Sequence, residues 1–485
     1  MLKTLLLVSA VVWAGAAQAD DKPNIIFILA DDFGWADWNH NGGEHGSTFY
    51  ETPSLNQMAS EGVYFSQAYA LPLCSPSRGT LMSGQYVDAR LGLFKAITGG
   101  SVANPAVPKS ANPRKEQLWP TSRDSLPLET VTIAEMLKEN GYKTFHFGKW
   151  HLGNRNKYPV KQGFDRQRAV KGAGPGVPNG YFAPFQVDDF IEGEEGDYLA
   201  DKITDEVLET IEENRDQPFF LYLAHFNVHS PYYGKPAYVK KYAEKAATLS
   251  SGQRHPVMGA MVQSLDESAG RILDKLDELN LSSSTLVVFM GDNGGVHFKN
   301  SKDDYSDIPI TVNGPLREGK GTFYEGGVRV PLIVRMPGKV PAHVVEVTPV
   351  HLVDFYPTLA SFAGIELDQD DLDGVDIRGL LTQEEDIEER ALFCHFPRER
   401  QVSGDQAAGG SFIRKGDYKL LRYYLASPTN EDVYELYNLR SDIGETHNLL
   451  ESEPQVAASL KAELAAWLRS TCALTPQMNP NYSAK

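Results

Sequence analysis

Apolar residues in this chain come in short unbroken runs that stop at charged or polar positions. "NIIFILADD" (24–32), "KTFHFGKWH" (143–151), "FFLYLAHFNVHS" (219–230), "TLVVFMGDN" (285–293) and "PLIVRMPG" (331–338) share this form. Runs of this length, rich in Ile, Val, Phe and Leu, predict strands buried on both faces of a largely parallel sheet. Helical patterns lie between them. In "TVTIAEMLKENGYKT", Ile133, Met136 and Leu137 make an apolar stripe and Gly141 fits a helix C-terminus. Strands alternating with helices predict an α/β sandwich, whose ligands bind beyond the carboxyl ends of the strands. Three stretches rich in Gly, Pro and Asn (88–128, 154–190 and 296–315) have no clear periodicity and are expected to wall a cleft. After about residue 375 the pattern changes. "ALFCHF", "SFIRKGDYKLLRYY" and "VYELYNL" read as antiparallel strands, and 452–470 as an amphipathic closing helix. The expected organisation is a large α/β domain over 20–375 and a smaller α+β domain with a short antiparallel sheet over 376–485.

The N-terminus, charge and cysteines narrow the function. Lys3, the apolar stretch Leu5 to Ala16, and Ala17-Gln18-Ala19 form the three parts of a signal peptide over 1–19. The apolar stretch is short for a membrane span of about 20 residues, and no later segment qualifies. A periplasmic or secreted protein is expected. The formal charge of −18 argues against general binding to nucleic acid or membrane surfaces. An anionic ligand would therefore need a local cationic pocket. Three cysteines, Cys74, Cys394 and Cys472, make no disulfide framework. Either one pair forms or one thiol has chemistry of its own; Cys74, in "LPLCSPSRGTLMSGQY", is the candidate.

Asp31 and Asp32 directly follow one buried strand, and Asp292-Asn293-Gly294 follows another. A pair of acids can simply cap a turn, but two clusters at two strand ends can also meet in space. Three carboxylates and one amide are hard oxygen donors that suit Ca²⁺ or, less well, Mg²⁺, and not zinc. Lys149 and His151 are two apart in "FGKWHLG", so a continuing strand would point both into one cleft. His229 ends another apolar run and is a site candidate, whereas His225 reads as structural. Lys320 sits among glycines in "REGKGTFYEGG", which permit close approach to a ligand. The segment does not follow a strand in the manner of a phosphate loop.

With these segments in hand, the chain resembles the type I sulfatases of the alkaline phosphatase superfamily. "CSPSRGTLMSG" matches that family's maturation signature. "NIIFILADD", "GKWHLG", "HSP", "GDNGG" and "GKGTFYEGGVRVPLIV" match its other blocks in order, and "HLVDFYPTLASFAGI" and "YELYNLRSDIGETHNL" its late segments. The resemblance covers nearly the whole mature chain. It implies an alkaline-phosphatase-like sandwich in which residues 20–375 carry the catalysis. It also implies that Cys74 is oxidised, by a formylglycine-generating enzyme, to formylglycine (3-oxoalanine), an aldehyde hydrated to a geminal diol. One diol hydroxyl would then attack sulfur, losing its proton to Asp292, beside a calcium held by Asp31, Asp32, Asp292, Asn293 and residue 74. Arg78 and Lys149 would steady the hydrate, and Lys149 and Lys320 would face the sulfate. His229, with Lys320 as a candidate helper, would protonate the leaving oxygen, and His151 would take the second diol proton.

Two rivals compete with this reading. A phosphatase or phosphodiesterase of the superfamily generally holds two transition metals and uses Ser or Thr, whereas here the positions read Asp-Asn and Cys. An inactive sulfated-glycan-binding homologue would be expected to have lost a catalytic group, and none is missing. The expected substrate is a sulfated oligo- or polysaccharide, with a carrageenan-type galactan first and glycosaminoglycan or fucose sulfates next. Candidate recognition residues are Arg90, His297, His395, Arg398 and Arg400. The protein is expected to be a monomer or a small homo-oligomer.

Overall fold

The computed structural model describes residues 22–39, 47–97, 102–108, 114–171, 180–189, 191–299, 304–368, 371–399 and 409–483. The expected signal peptide and Arg400 lie outside them. Among the described residues no helix is long and apolar enough to cross a membrane.

The strands are, in chain order, Asn24–Ala30 (β1), Val63–Tyr69 (β2), Gln117–Leu118 (β3), Lys143–Lys149 (β4), Arg166–Lys171 (β5), Phe219–Ala224 (β6), Thr285–Gly291 (β7) and Arg329–Arg335 (β8). The short strands Val344–Glu346 (β9) and Val350–His351 (β10) follow. Then come Leu392–Phe396 (β11), Gly410–Lys415 (β12), Tyr418–Tyr423 (β13), Val433–Asn438 (β14) and Gln477–Met478 (β15). Nine of them form one sheet in the order β10-β2-β8-β7-β1-β6-β4-β5, with β9 against β2. β1 runs parallel to β6 and β7, and β4 parallel to β5 and β6; β8 is antiparallel to β2 and β7. The sheet is therefore mixed and mostly parallel. The fold is the expected alkaline-phosphatase-like α/β sandwich with a separate small antiparallel sheet.

Continuous apolar runs follow from burial on both faces. In β1, Ile26 and Ile28 point into one core while Ile25, Phe27 and Leu29 point into the other. The first core is closed by the helices Leu199–Glu213 and Pro256–Glu278, the second by Ile133–Glu139 and Phe355–Phe362. Thr132 and Glu135 cap the helix Ile133–Glu139 reciprocally, satisfying backbone donors that its first turn would leave bare. Ile377, Leu380 and Leu381 still pack in this second core, so the packing of the large sheet continues beyond residue 375.

The later sheet is antiparallel in the order β11-β12-β13-β14. Phe412 faces Tyr69 and Phe323 of the large unit, while Ile413 faces the helix Pro454–Ser470. Stretches expected as loops also supply structure. The edge strand β5 lies within 154–190, and β3 pairs antiparallel with β15 near the C-terminus. Both are short or polar, so alternation could not reveal them.

β1, β4, β6 and β7 are parallel, so their carboxyl ends share one edge of the sheet, where the acids, lysines and histidines stand. β4 reaches that edge through an irregularity. Its pairing with β5 shifts register between Phe147 and Lys149, and Gly148 has φ 91°. A Cβ on Gly148 would lie 2.1 Å from the Ala224 carbonyl oxygen of β6. Gly148→Ala is therefore expected to cost at least about 2 kcal/mol of stability and to lower activity by displacing Lys149. Urea unfolding checks this, and an unchanged midpoint would show that β4 and β6 separate without strain.

Candidate active site

Cys74 opens the helix Cys74–Ser83, with its Sγ 3.3 Å from Asp31 Oδ1 and 3.8 Å from Asp32 Oδ1. The serines of the signature hold this corner in place. The Ile97 N–H donates to Ser75 Oγ at 3.1 Å, and the Leu71 N–H to Ser77 Oγ at 3.0 Å. One helical turn on, Arg78 is fully buried. Its Nε and Nη2 donate to Asp292 Oδ2 at 3.1 and 2.8 Å, and Nη1 donates to the Lys149 carbonyl at 2.8 Å.

Two lysines complete a set of ion pairs. Lys149 Nζ lies 2.5 Å from Asp31 Oδ2, and Lys320 Nζ lies 2.5 Å from Asp32 Oδ1. Three buried carboxylates thus face three cations. Asp32 has φ 60°, which turns its carboxylate across the strand ends. Its own N–H donates to Asp292 Oδ1 at 3.1 Å, and it accepts from Asn293 Nδ2 at 3.0 Å. Burial alone would raise its pKa, but Lys320, His229 and Lys149 outweigh that and hold the carboxyl below its usual range. Asp292 goes the other way. Burial, joined by the nearby Asp31, lifts it to about 6 against the pull of Arg78.

The histidine tautomers follow from their carbonyl partners, which can only accept. His151 Nε2 is 3.3 Å from the Ile97 carbonyl, so Nε2 carries the hydrogen and Nδ1 keeps a lone pair, buried without a partner. Burial, then Lys149 and Arg78, keep this ring neutral. His229 Nδ1 donates to the Ser230 carbonyl at 2.7 Å, leaving Nε2 bare at 3.7 Å from Asp32. Burial pulls its pKa down to about 3 although Asp32 opposes the shift. Lys320 keeps its proton, since Asp32, Cys74 and Asp31 overcome the effect of burial.

Asp31, Asp32, Cys74 and His229 each offer a ligand atom within 4.8 Å of the others, and Asn293 Oδ1 is buried with no partner. Two carboxylates plus an unpartnered amide oxygen fit a hard divalent cation. Asp292 stands outside that cluster, with one oxygen taken by Arg78 and the other by the Asp32 amide.

The site residues expected from sequence divide clearly. Cys74, Arg78, Lys149, His151, His229, Asp292, Asn293, Lys320, Asp31 and Asp32 converge. His151 does so differently from expectation. β4 ends at Lys149, and His151 has φ 55°, so a turn and not strand alternation brings it in. His225 bonds Ser268 Oγ at 3.1 Å and is structural.

The recognition candidates fare less well. His395 is a correction: it is fully buried in β11, with Nδ1 on Ser411 and Nε2 on the Leu474 carbonyl, and cannot meet a substrate. Arg90 is held by both oxygens of Asp373 at 2.7 Å, and Arg398 lies over Phe396 at 4.7 Å. His297 pairs with Glu318 at 3.0 Å, on the segment of Lys320.

None of Cys74, Cys394 and Cys472 is joined in a disulfide. Sequence reasoning also missed Tyr181, whose hydroxyl lies 2.6 Å from the Phe226 carbonyl and 2.7 Å from the His229 carbonyl, its one hydrogen shared between them. It lies in an aperiodic stretch and left no signal.

Comparison with known proteins agrees with this geometry. The sulfatase family model matches residues 23–365, and a model described as N-sulphoglucosamine sulphohydrolase, C-terminal, matches 319–471. A sulfatase of Formosa agariphila is 31% identical, over 93% of this chain and 89% of its own. Arylsulfatase A of Homo sapiens is also 31% identical, over 95% of this chain and 89% of its own. The crystal structure of Ps i-CgsB in complex with k-i-k-neocarrahexaose superposes with a TM-score of 0.74 at 27% identity, covering 96% of this chain and 95% of that one. The chain belongs to the sulfatase family and is a sulfuric ester hydrolase.

Proposed function

We propose that this enzyme removes sulfate from a sulfated carbohydrate, a galactan of the carrageenan type before a glycosaminoglycan or fucan. Cys74 is converted to formylglycine, and one Ca²⁺ is held by Asp31, Asp32 and Asn293 with residue 74 and Asp292 beside it. The observation that carries the reading is the convergence of Cys74 with three buried carboxylates and the cations Arg78, Lys149 and Lys320 at one sheet edge. With acids and bases balanced in number, a bound divalent cation leaves the pocket positive. That local field captures a sulfate monoanion against the acidic whole.

The bound cation would supply charge neutralisation of the sulfuryl oxygens, and the aldehyde hydrate a nucleophile that serine or threonine cannot regenerate by elimination. The remaining work falls to the chain's own groups. Asp292 accepts a proton near residue 74 as a general base. Arg78 keeps its carboxylate oriented. Lys149 and Lys320 donate toward the sulfuryl oxygens. The proton for the departing sugar oxygen resides on Lys320, and the bare Nε2 of His229 stands ready to relay it. The bare Nδ1 of His151 is suited to take the second proton and release sulfate. A carbohydrate substrate is supported by the hexasaccharide bound to the structural relative and by exposed aromatic residues on two site segments. Tyr233 follows His229 and Phe298 follows His297, at 50% and 53% exposure. The pattern of residues 1–19 supports export to the periplasm or medium.

Sulfate release from a panel of sulfated polysaccharides and oligosaccharides, after coexpression with a formylglycine-generating enzyme, tests the reading. Release from a galactan is expected, and Cys74→Ala should lower it by at least roughly a thousandfold. A mature enzyme with the aldehyde confirmed by peptide mass, yet inert on every glycan while cleaving an aryl sulfate, would refute the substrate class. Chelation with EGTA should abolish turnover and lower Tm, and Ca²⁺ should restore both. Full activity after chelation would exclude the cation.

A further inference from the structure

The segment 317–325 carries Lys320 and is fastened on both sides. Toward the active site, the Lys320 N–H donates to the Gly295 carbonyl at 3.0 Å and the Gly321 N–H to the Pro72 carbonyl at 2.9 Å. Its other fastenings come from the small sheet and the turn after it. Arg317 donates to the Glu445 carbonyl at 2.8 Å and to the Tyr437 hydroxyl at 3.2 Å. The Tyr324 hydroxyl donates to Glu435 at 2.9 Å, and Phe323 packs among Phe396, Phe412 and Tyr423.

At the centre lies a buried charge cluster. Lys419 Nζ of β13 sits 2.8 Å from Glu325 Oε1 and 3.0 Å from Glu445 Oε1, and all three side chains are fully buried. The Glu325 N–H donates to Glu445 Oε2 at 2.6 Å. The second Glu325 oxygen takes the Tyr69 hydroxyl at 2.8 Å and Arg329 at 3.4 Å. Two carboxylates and two cations balance.

Buried charges of this kind add little stability over apolar packing of equal volume. They do hold one geometry, because any displacement leaves a charge buried and unpaired. Lys419 touches none of the residues converging on Cys74, yet its partner Glu325 stands five residues from Lys320. We infer that Lys419, clamped between Glu325 and Glu445, is a positioning residue: the small sheet sets the reach of the Lys320 ammonium to Asp32 and the sulfate. The inference rests on the role given to Lys320 above.

A double-mutant cycle between Lys419 and Lys320 tests it, with kcat and KM measured separately. Lys419→Met should lower kcat/KM at least about tenfold in the native background but less than about twofold in Lys320→Ala, because coupled residues lose their additivity. Since Lys419→Met alone leaves two facing carboxylates, Lys419→Met/Glu445→Gln restores the charge balance and serves as the folded control. It should show a Tm near the native one with the activity loss retained. Amide exchange over 317–325 should quicken in this double variant while β1 stays protected. Additive losses, or full kcat/KM in the folded double variant, would overturn the inference. If Lys320→Ala alone keeps full activity, the reading of Lys320 fails, and unchanged exchange over 317–325 would separately refute the tie.

Discussion

Pairing of buried charge at the carboxyl edge of the large sheet governs this molecule. Asp31, Asp32 and Asp292 lie in an environment that penalises each carboxylate, and each is offset by one cation drawn from a distant segment: Lys149, Lys320 and Arg78. Removing any one partner would leave a charge in low dielectric, at a cost well above that of a surface pair. The strand ends, the helix Cys74–Ser83 and the glycine-rich segment around Lys320 are therefore interdependent. The parallel sheet brings the strand ends together, and the balance of charge makes their burial tolerable.

The same balance links fold to chemistry. On the proposed reading, a pocket balanced in charge that gains a divalent cation would become an anion trap within an acidic protein. The neighbouring groups are already sorted by proton affinity. Burial strips protons from His151 and His229 and lifts Asp292, while the surrounding carboxylates keep Lys320 charged. On the proposed reading, acceptors and a donor are thus sorted before any substrate arrives, a preorganisation of the kind that lowers a barrier. The small antiparallel sheet contributes no group to this set. Through Lys419 and Glu445 it acts on the segment that bears one of the lysines.

The recognition candidates show where local reasoning lost its grip. His395 is expected from sequence to recognise substrate, but it lies in β11, buried with its ring nitrogens on Ser411 and the Leu474 carbonyl. Arg90 found Asp373, far along the chain, and a bidentate carboxylate leaves its fork little to offer a ligand. Surface arginines take whichever partner the tertiary structure supplies.

The strands, their order of polar endings and the signature around Cys74 were legible in the sequence because each is local. A run of β-branched and aromatic residues must be buried, and a carboxylate at its end must sit on the sheet's edge. The ten residues that converge around Cys74 were legible for the same reason, each lying at a strand end or in a signature of its own. What only the folded chain decided were contacts between segments remote in sequence. These are which lysine pairs with which aspartate (Lys149 and Asp31 are 118 residues apart), which nitrogen of His151 is bare, and how a register shift at Gly148 aims Lys149. They also include the support of His229 by Tyr181 and the tie of Glu325 to Lys419. Such pairings depend on distance and desolvation after packing, and no spacing along the chain encodes either.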